Sequence, residues 1–165
     1  MAQDHSFDVV SKVNLQELRN AIAQAQKEIT TRFDFRGSSA SVAYEETGGL
    51  LKVAADHQAQ LRSVVEVVEA KLAKRGVPLK AFVWQTPEAL PGGTMKQQAT
   101  LQQGLSSEQA KAVTKAIKDL GLKVQPRIDG DAVRVSGKQL DELQAVMQAL
   151  RAKEFGAPLQ FENYR

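Results

Sequence analysis

The sequence predicts an α+β fold in which one strand–helix–strand–strand–helix–strand unit occurs twice. The first observation is an internal repeat, in which Leu51 and Val53 of one half correspond to Val133 and Val135 of the other. The second is that each half holds two segments whose apolar residues form one stripe along a helix. The third is that apolar and polar residues alternate within its remaining segments, as they do in strands. Each half is therefore expected to place two helices on one face of a four-stranded antiparallel sheet.

The first half opens with an alternating strand, and the helix after it carries apolar residues at steps of three and four. Asn14 and Glu17 are spaced for a capping box at the start of that helix. Gly48 and Gly49 supply a hairpin turn, and Gly76 follows the last basic turn of the second helix as a C-cap. The predicted elements are strand 7–13, the helix of Leu15, Leu18, Ile22, Ala25 and Ile29, strands 40–46 and 50–54, helix 57–75 and strand 81–85.

The second half repeats this order after the segment 86–93, whose prolines and glycines are typical of a linker. Asp129 and Gly130 mark the hairpin of this half. Pro126 removes a donor from the sheet ladder, so its strand must lie at an edge, as the second strand of this topology does. The predicted elements are strand 96–103, helix 106–120, strands 122–128 and 132–136, helix 139–153 and strand 158–164.

The predicted fold class is thus a tandem of two ferredoxin-like domains, residues 1–90 and 94–165. RNP-type RNA-recognition domains share this topology.

Composition excludes several classes of function. The 165 residues include no cysteine and two histidines, which excludes disulfides and a cysteine nucleophile and leaves little for a zinc site. No apolar run is long enough for a membrane span and the N-terminus has no secretory signal, so we expect a cytoplasmic protein that does not bind membranes. Because no constellation of acid, base and nucleophile is visible, we predict no enzymatic activity, no cofactor and no metal.

The formal net charge of +3 arises in the second half of the chain, where basic residues follow one hairpin. Strand alternation turns three apolar residues of this hairpin toward the helices, namely Leu122, Val124 and Ile128. It places the remaining residues on the uncovered face, namely Lys123, Gln125, Arg127 and Arg134. The three cations predict a phosphate-facing cluster, and a solvated face whose charges serve solubility is the alternative that the sequence leaves open.

RNA binding is the second functional hypothesis. RNA-recognition domains of this topology stack bases on aromatic side chains of their two central strands. The outward positions of those strands carry none: Asp8, Val10, Lys12, Ala132, Arg134 and Ser136. This weakens the hypothesis of base stacking, although arginine can stack on a base or pair with guanine or phosphate. A small nucleotide therefore remains a reasonable ligand, and a scaffold that docks a regulator on the open sheet is a third hypothesis.

The segment from Arg32 to Arg36 places two phenylalanines and two arginines at the end of the first helix. Phe33 continues the apolar stripe four residues after Ile29, so we predict that it belongs to the core. Phe35 lies beyond the stripe and is expected between the domains. Arg32, Phe35 and Arg36 can hold a purine ring and a phosphate, but spacing alone leaves this open.

The chain resembles the YajQ family, a group of bacterial cytosolic proteins. The matching segments are spread over the whole chain: Ser6 to Ser11, Thr31 to Gly37, Leu122 to Lys138, Asp141 to Val146 and Pro158 to Arg165. The segment 77–98 is less typical of the family, and Pro126 and the extra residues 2–5 are departures from its pattern.

The resemblance implies two ferredoxin-like domains that exchange their first strands, 7–13 and 96–103. It also implies nucleotide binding, of cyclic di-GMP and of ATP or GTP as alternatives, and relay of the cyclic di-GMP signal to a transcription factor. The resemblance does not fix the contacts residue by residue. From the segment at the end of the first helix and the outward face of the second hairpin we assign six ligand-binding residues: Arg32, Phe35, Arg36, Lys123, Arg127 and Arg134.

Overall fold

The computed structural model describes residues 4–165, so the first three residues of the predicted first domain lie outside the described residues. It contains four α-helices and nine strands within that range. The helices are α1 (Leu15–Thr31), α2 (Gln58–Lys74), α3 (Ser107–Asp119) and α4 (Leu140–Arg151). The strands are β1 (His5–Val10), β2 (Ser41–Glu45), β3 (Leu50–Ala55), β4 (Phe82–Trp84), β5 (Glu88–Ala89), β6 (Met95–Leu101), β7 (Val124–Asp129), β8 (Ala132–Gly137) and β9 (Gln160–Glu162).

The strands form two antiparallel sheets, in the orders β7-β8-β1-β9 and β2-β3-β6-β4, and β5 also pairs with β6. The chain divides into two compact units. One is continuous, Val13–Gln102, and we call it the continuous unit. The other joins the residues up to Lys12 to Gln103–Arg165, and we call it the split unit. The first strand of the chain therefore lies in the sheet that its last three strands build.

Each unit has its own apolar core between a sheet and two helices. In the split unit, Phe7 lies opposite Val135 and Val9 opposite Val133, and all four side chains are almost fully buried. Helix α4 covers them with Leu143, Val146 and Leu150, and helix α3 with Val113 and Ile117. Burial of each such side chain contributes roughly 1.5–3 kcal/mol, so this strand pair anchors the split unit.

The helix boundaries follow the local signals of the sequence. Ser106 accepts from the amide of Gln109 at 3.1 Å while the Gln109 side chain accepts from the amide of Ser106 at 3.0 Å, which is a complete capping box for α3. Asn14 caps α1 through the amide of Glu17, but the side chain of Glu17 accepts from Asn20 at 3.0 Å instead. The capping box predicted for α1 is therefore only half formed.

Gly76 ends α2 as predicted. Its φ is +75°, its amide donates to Ala73 O at 3.0 Å, and the amide of Val77 donates to Leu72 O at 2.9 Å. This pair of bonds is a Schellman motif, which requires the left-handed backbone that glycine adopts most easily.

Three strand predictions need correction. The predicted linker holds the short strand β5, in which Glu88 lies opposite Lys96. The last strand is shorter than 158–164, because Asn163 has a φ of +58° and breaks the extended chain. Ile128 was expected to face the helices, but it lies near the turn at the end of the edge strand β7 and is 45% exposed. Pro126 does lie in that edge strand, where its missing amide removes no ladder bond from a central strand.

Candidate functional site

The uncovered face of the split unit carries a row of charged residues that runs across all four strands. Arg127 on β7 lies directly opposite Arg134 on β8. Arg134 in turn lies opposite Asp8 on β1, and Asp8 lies opposite Glu162 on β9. The row therefore has two cations at the β7 edge and two carboxylates at the β9 edge.

The inner pair of this row is a hydrogen-bonded ion pair. Arg134 Nε and Nη2 donate to the two carboxylate oxygens of Asp8 at 2.9 and 3.4 Å, and Asn163 Nδ2 donates to Asp8 Oδ2 at 2.8 Å. The hydrogen bond from Arg134 holds the pKa of Asp8 below its ordinary value, partial burial opposes this and the bond from Asn163 adds to it. The Arg134 guanidinium is thus fixed in position, and its charge is largely balanced.

Arg127 is different. Its side chain is exposed and has no ion-pair partner within residues 4–165. Like charges directly opposite each other on neighbouring strands are unfavourable, so this arginine adds positive potential where an anion would relieve the repulsion. Arg127 and Arg134 line one pocket of about 330 Å³ together with Gln125, Pro126 and Ser136, which we call the arginine pocket.

Lys123 lies just before β7 and lines a neighbouring cleft of about 560 Å³. We call this the lysine cleft, and its lining includes two lysines, two acidic residues and three further residues: Lys123, Lys138, Asp4, Glu142, Gln125, Ser136 and Gly137. Gln125 and Ser136 line both depressions, so the cleft and the arginine pocket are adjacent. The structure therefore brings Arg127 and Arg134 together and places Lys123 beside them, along one edge of the sheet.

Lys138 and Glu142 were missed by the sequence reasoning. A signal for Lys138 was present, because counting outward from the Asp129-Gly130 turn pairs Val124 with Gly137, which puts Lys123 and Lys138 at the same end of the hairpin. Glu142 had no signal of this kind. Its place in the cleft depends on how the first turn of α4 packs on β8.

The predictions for the two phenylalanines at the end of α1 were wrong. Phe33 is 85% exposed, whereas Phe35 is 4% exposed and packs in the core of the continuous unit. The reason is that α1 ends at Thr31 and Arg32 is extended, so the helical period stops before Phe33. The short 3₁₀ turn Phe33–Phe35 then directs the second ring, not the first, to the core.

The arginines beside them have different surroundings. Arg32 donates to both carboxylate oxygens of Asp34 at 2.9 and 2.7 Å and to Glu28 at 3.5 Å, and its guanidinium lies 4.7 Å from the centre of the Phe35 ring. Arg36 lies 5.9 Å from the centre of the exposed Phe33 ring. Arg32 is thus neutralised by two carboxylates and Phe35 is buried, and these three predicted residues lie in the continuous unit while the other three lie in the split unit.

On the uncovered face of the continuous unit, the lysines of β3 and β6 are both paired with carboxylates, and that of β6, Lys96, lies 3.7 Å from Glu88. Lys52, which corresponds to Arg134 in the repeat, forms an ion pair of 2.6 Å with Glu45. On the central strands of the split unit the outward positions carry no aromatic ring, since Phe7 faces the core and is 1% exposed. Lys12 lies beyond the end of β1 and pairs with Glu162 at 2.7 Å. The surface that a base-stacking RNA-recognition domain uses is therefore polar here.

Residues 4–165 hold neither a metal-binding cluster nor a helix that could span a membrane. No group of three or more histidine, cysteine, aspartate or glutamate side chains is arranged to hold a metal ion in that range. None of the described helices has the length and apolar character needed to cross a membrane.

Comparison with known proteins identifies the family. Residues 5–165 match the family model described as nucleotide-binding protein YajQ-like. A protein of Carboxydothermus hydrogenoformans named nucleotide-binding protein is 48% identical over 165 residues, which is all of both chains. Proteins with the same name from Desulforamulus reducens and Alkaliphilus oremlandii are 44% and 45% identical over all of this chain and 99% and 100% of their own. The chain therefore belongs to the YajQ family.

Proposed function

We propose that this protein is a non-enzymatic nucleotide-binding effector whose arginine pocket holds the phosphates of a cyclic dinucleotide, cyclic di-GMP in particular. Its relatives are named nucleotide-binding proteins, which supports the ligand class. The observation that carries the proposal is the cross-strand pair of Arg127 and Arg134, of which, among the residues from Asp4 onward, only Arg134 is paired with a carboxylate.

The chemistry of the pocket suits a diphosphate ligand. A guanidinium binds a phosphate through two parallel N–H donors, and such charge-assisted bonds are about twice as strong as neutral ones. Arg127 is available for this role. Arg134 donates through Nε and Nη2 to Asp8, so it can offer a phosphate Nη1 as a single donor, from a side chain already held in place. Gln125 and Ser136 add neutral polar groups, and Lys123 adds a third cation in the adjacent cleft.

The group Arg32, Phe35 and Arg36 is a second, separate candidate in the continuous unit. A phosphate at Arg32 would have to compete with Asp34 and Glu28, and a purine could not stack on the buried ring of Phe35 without opening the core. We therefore expect the arginine pocket to dominate binding.

We also propose that both units are ferredoxin-like domains that have exchanged their first strands. The order β7-β8-β1-β9 is that of a ferredoxin-like sheet in which β1 supplies the first strand. The order β2-β3-β6-β4 has the same form, with β6 in that place. In this proposal the predicted domains 1–90 and 94–165 each lend their first strand to the other, and relay to a transcription regulator is the output that the family resemblance implies.

The test is titration calorimetry with cyclic di-GMP. Arg127→Ala should weaken binding at least about tenfold, because a bidentate charge-assisted contact is lost. Lys52→Ala is the control, since it removes a cation from the uncovered face of the other sheet, at the position that corresponds to Arg134, and it should leave the affinity unchanged. Absence of binding to the wild-type protein at low salt, or equal affinity of Arg127→Ala and wild type, would overturn the proposal.

A further inference from the structure

We propose that the lysine cleft is a guanine-recognition subsite in which Glu142 accepts hydrogen bonds from the edge of the base. This inference rests on the proposed nucleotide binding, and it adds the residue that selects the base.

The cleft is built by three elements of the split unit. Lys123 with the start of β7 forms one of its walls, the end of β8 forms the second, and the first turn of α4 forms the third. Gly137 lets these elements approach, because a Cβ at this position would lie 3.1 Å from both Lys123 O and Val124 Cγ1. The volume of about 560 Å³ falls in the range of small-molecule sites.

Glu142 lines this cleft and carries an unsatisfied acceptor. Its Oε2 atom is buried and has no hydrogen-bond partner within residues 4–165. A buried carboxylate oxygen without a donor is unfavourable, so a ligand that brings N–H groups to this carboxylate gains the interaction that the protein lacks. The adjacent Asp141 is exposed to solvent and has no such need.

The chemistry of a carboxylate selects among bases. An ionised glutamate is an acceptor only, and its terminal torsion is broad, so it can turn both oxygens toward one ligand. Guanine presents two adjacent donors, N1–H and the 2-amino group, which match two carboxylate oxygens. Adenine places the acceptor N1 beside its 6-amino group, so a carboxylate facing that edge meets a lone pair. Glu142 therefore favours guanine over adenine.

The surroundings of Glu142 supply the remaining contacts of a nucleotide. Lys123 and Lys138 are exposed at the cleft and have no ion-pair partner within residues 4–165, and the exposed Asp4 also lines the cleft. The N-cap residue of α4, Gln139, makes no side-chain capping bond, and the amide of Glu142 donates to Gln139 O at 3.2 Å. Within residues 4–165 the amides of Leu140 and Asp141 are therefore the ones left for an anion. Since Gln125 and Ser136 line both depressions, one ligand can place its base at Glu142 and a phosphate in the arginine pocket.

Calorimetric titration with three cyclic dinucleotides tests the inference. Wild-type protein should bind cyclic di-GMP at least about tenfold more tightly than cyclic di-AMP, with the inosine analogue, which lacks only the 2-amino group, in between. Glu142→Gln keeps the shape of the side chain but replaces one acceptor by a donor, and it should bring the affinities for the guanine and adenine ligands within about threefold of each other.

Asp141→Asn is the matched control, because it removes the same charge from the same helical turn, and it should keep the full preference. Arg127→Ala should weaken both ligands by the same factor. Thermal unfolding checks that each variant is folded. The comparison of the inosine and guanine ligands uses wild-type protein alone, so it does not depend on the folding of any variant. Equal affinity for all three ligands, or an unchanged preference in Glu142→Gln, would overturn the guanine subsite while leaving the proposed function intact. Failure of wild type to bind any of the three would overturn both.

Discussion

At the residue scale, Arg127 and Arg134 lie opposite each other on adjacent strands but have different roles, because their partners differ. Arg134 is held by Asp8, whose side chain is 13% exposed, and Arg127 has no carboxylate partner within residues 4–165. The first arginine therefore orders the face, and the second leaves charge available for a ligand. The distinction comes from register and burial, not from residue type.

Asp8→Asn should lower the free energy of unfolding by roughly 1–2 kcal/mol at neutral pH, because the charge-assisted bonds from Arg134 lose their anion. In the folded protein the pKa of Asp8 is below its ordinary value of 3.8. A carboxyl group whose pKa is lowered by folding stabilises the fold at every pH above its ordinary pKa. This stabilisation is lost as the pH falls through the lowered pKa of the folded protein. The difference between wild type and variant should thus shrink toward zero in acid, as measured by urea unfolding between neutral pH and about pH 3.

The control for this prediction is Asp129→Asn, which removes the same charge from the exposed end of β7 on the same sheet. It should leave both the stability and its pH dependence unchanged within error. A constant difference between wild type and Asp8→Asn across the whole pH series would show that the charge of Asp8 is not what stabilises the face.

Individual residues show how far the sequence could be interpreted. The outward direction of Arg127 and Arg134 followed from strand alternation. The pairing of Arg134 with Asp8 could not be predicted from pattern, because it depends on β1 entering this sheet from the far end of the chain. Phe33 was predicted wrongly because the apolar period does not show where the helix ends.

At the element scale, the helices differ in how their first turns are satisfied. Helix α3 begins with a complete capping box, whereas the N-cap residue of α4, Gln139, makes no side-chain capping bond. A cap satisfies amides that no carbonyl inside the helix can reach, and its loss usually lowers stability by about 1 kcal/mol. The uncapped end is the one that borders the lysine cleft.

Ser106→Ala should therefore lower the free energy of unfolding by about 1 kcal/mol, because both bonds of the box with Gln109 are disturbed. Urea unfolding followed by circular dichroism measures the change. Ser107→Ala is the control, since Ser107 lies inside the first turn and is exposed, and alanine is the better helix former there. If the two variants were equally destabilised, the box would not be the cause.

The sequence predicted helices better than strands, for a physical reason. A helix forms its backbone hydrogen bonds within one segment, and its apolar residues recur at helical spacing over many positions. The observed ends of α2 and α3 therefore lie within a residue or two of the predicted ones. Strands β5 and β9 depend on partners, since β5 exists only where Glu88 and Ala89 reach β6. Their lengths are set by tertiary pairing that a local pattern does not contain.

At the scale of the whole molecule, the chain has two separate apolar cores whose members interleave in sequence. Phe7 belongs with Val135 and Leu143, far along the chain, while Val13 already belongs to the other core. Local pattern cannot assign β1 or β6 to a sheet, because either strand offers the same alternation to both. The family resemblance, not periodicity, implied the exchange.

Phe7→Ala provides a test of this interleaving. The ring is buried and packs edge-to-face on Phe161, with centroids 5.6 Å apart, so its removal should cost about 3–5 kcal/mol. Hydrogen exchange should show the loss of protection in β8 and α4, which share its core, and unchanged protection in β3 and α2. Val53→Ala is the reciprocal control, because it opens a cavity beside Leu51 and Leu61 in the other core and should release β3 instead. If Phe7→Ala exposed the amides of β3 as much as those of β8, the two cores would open as one, and the first strand would stabilise the whole chain rather than the split unit.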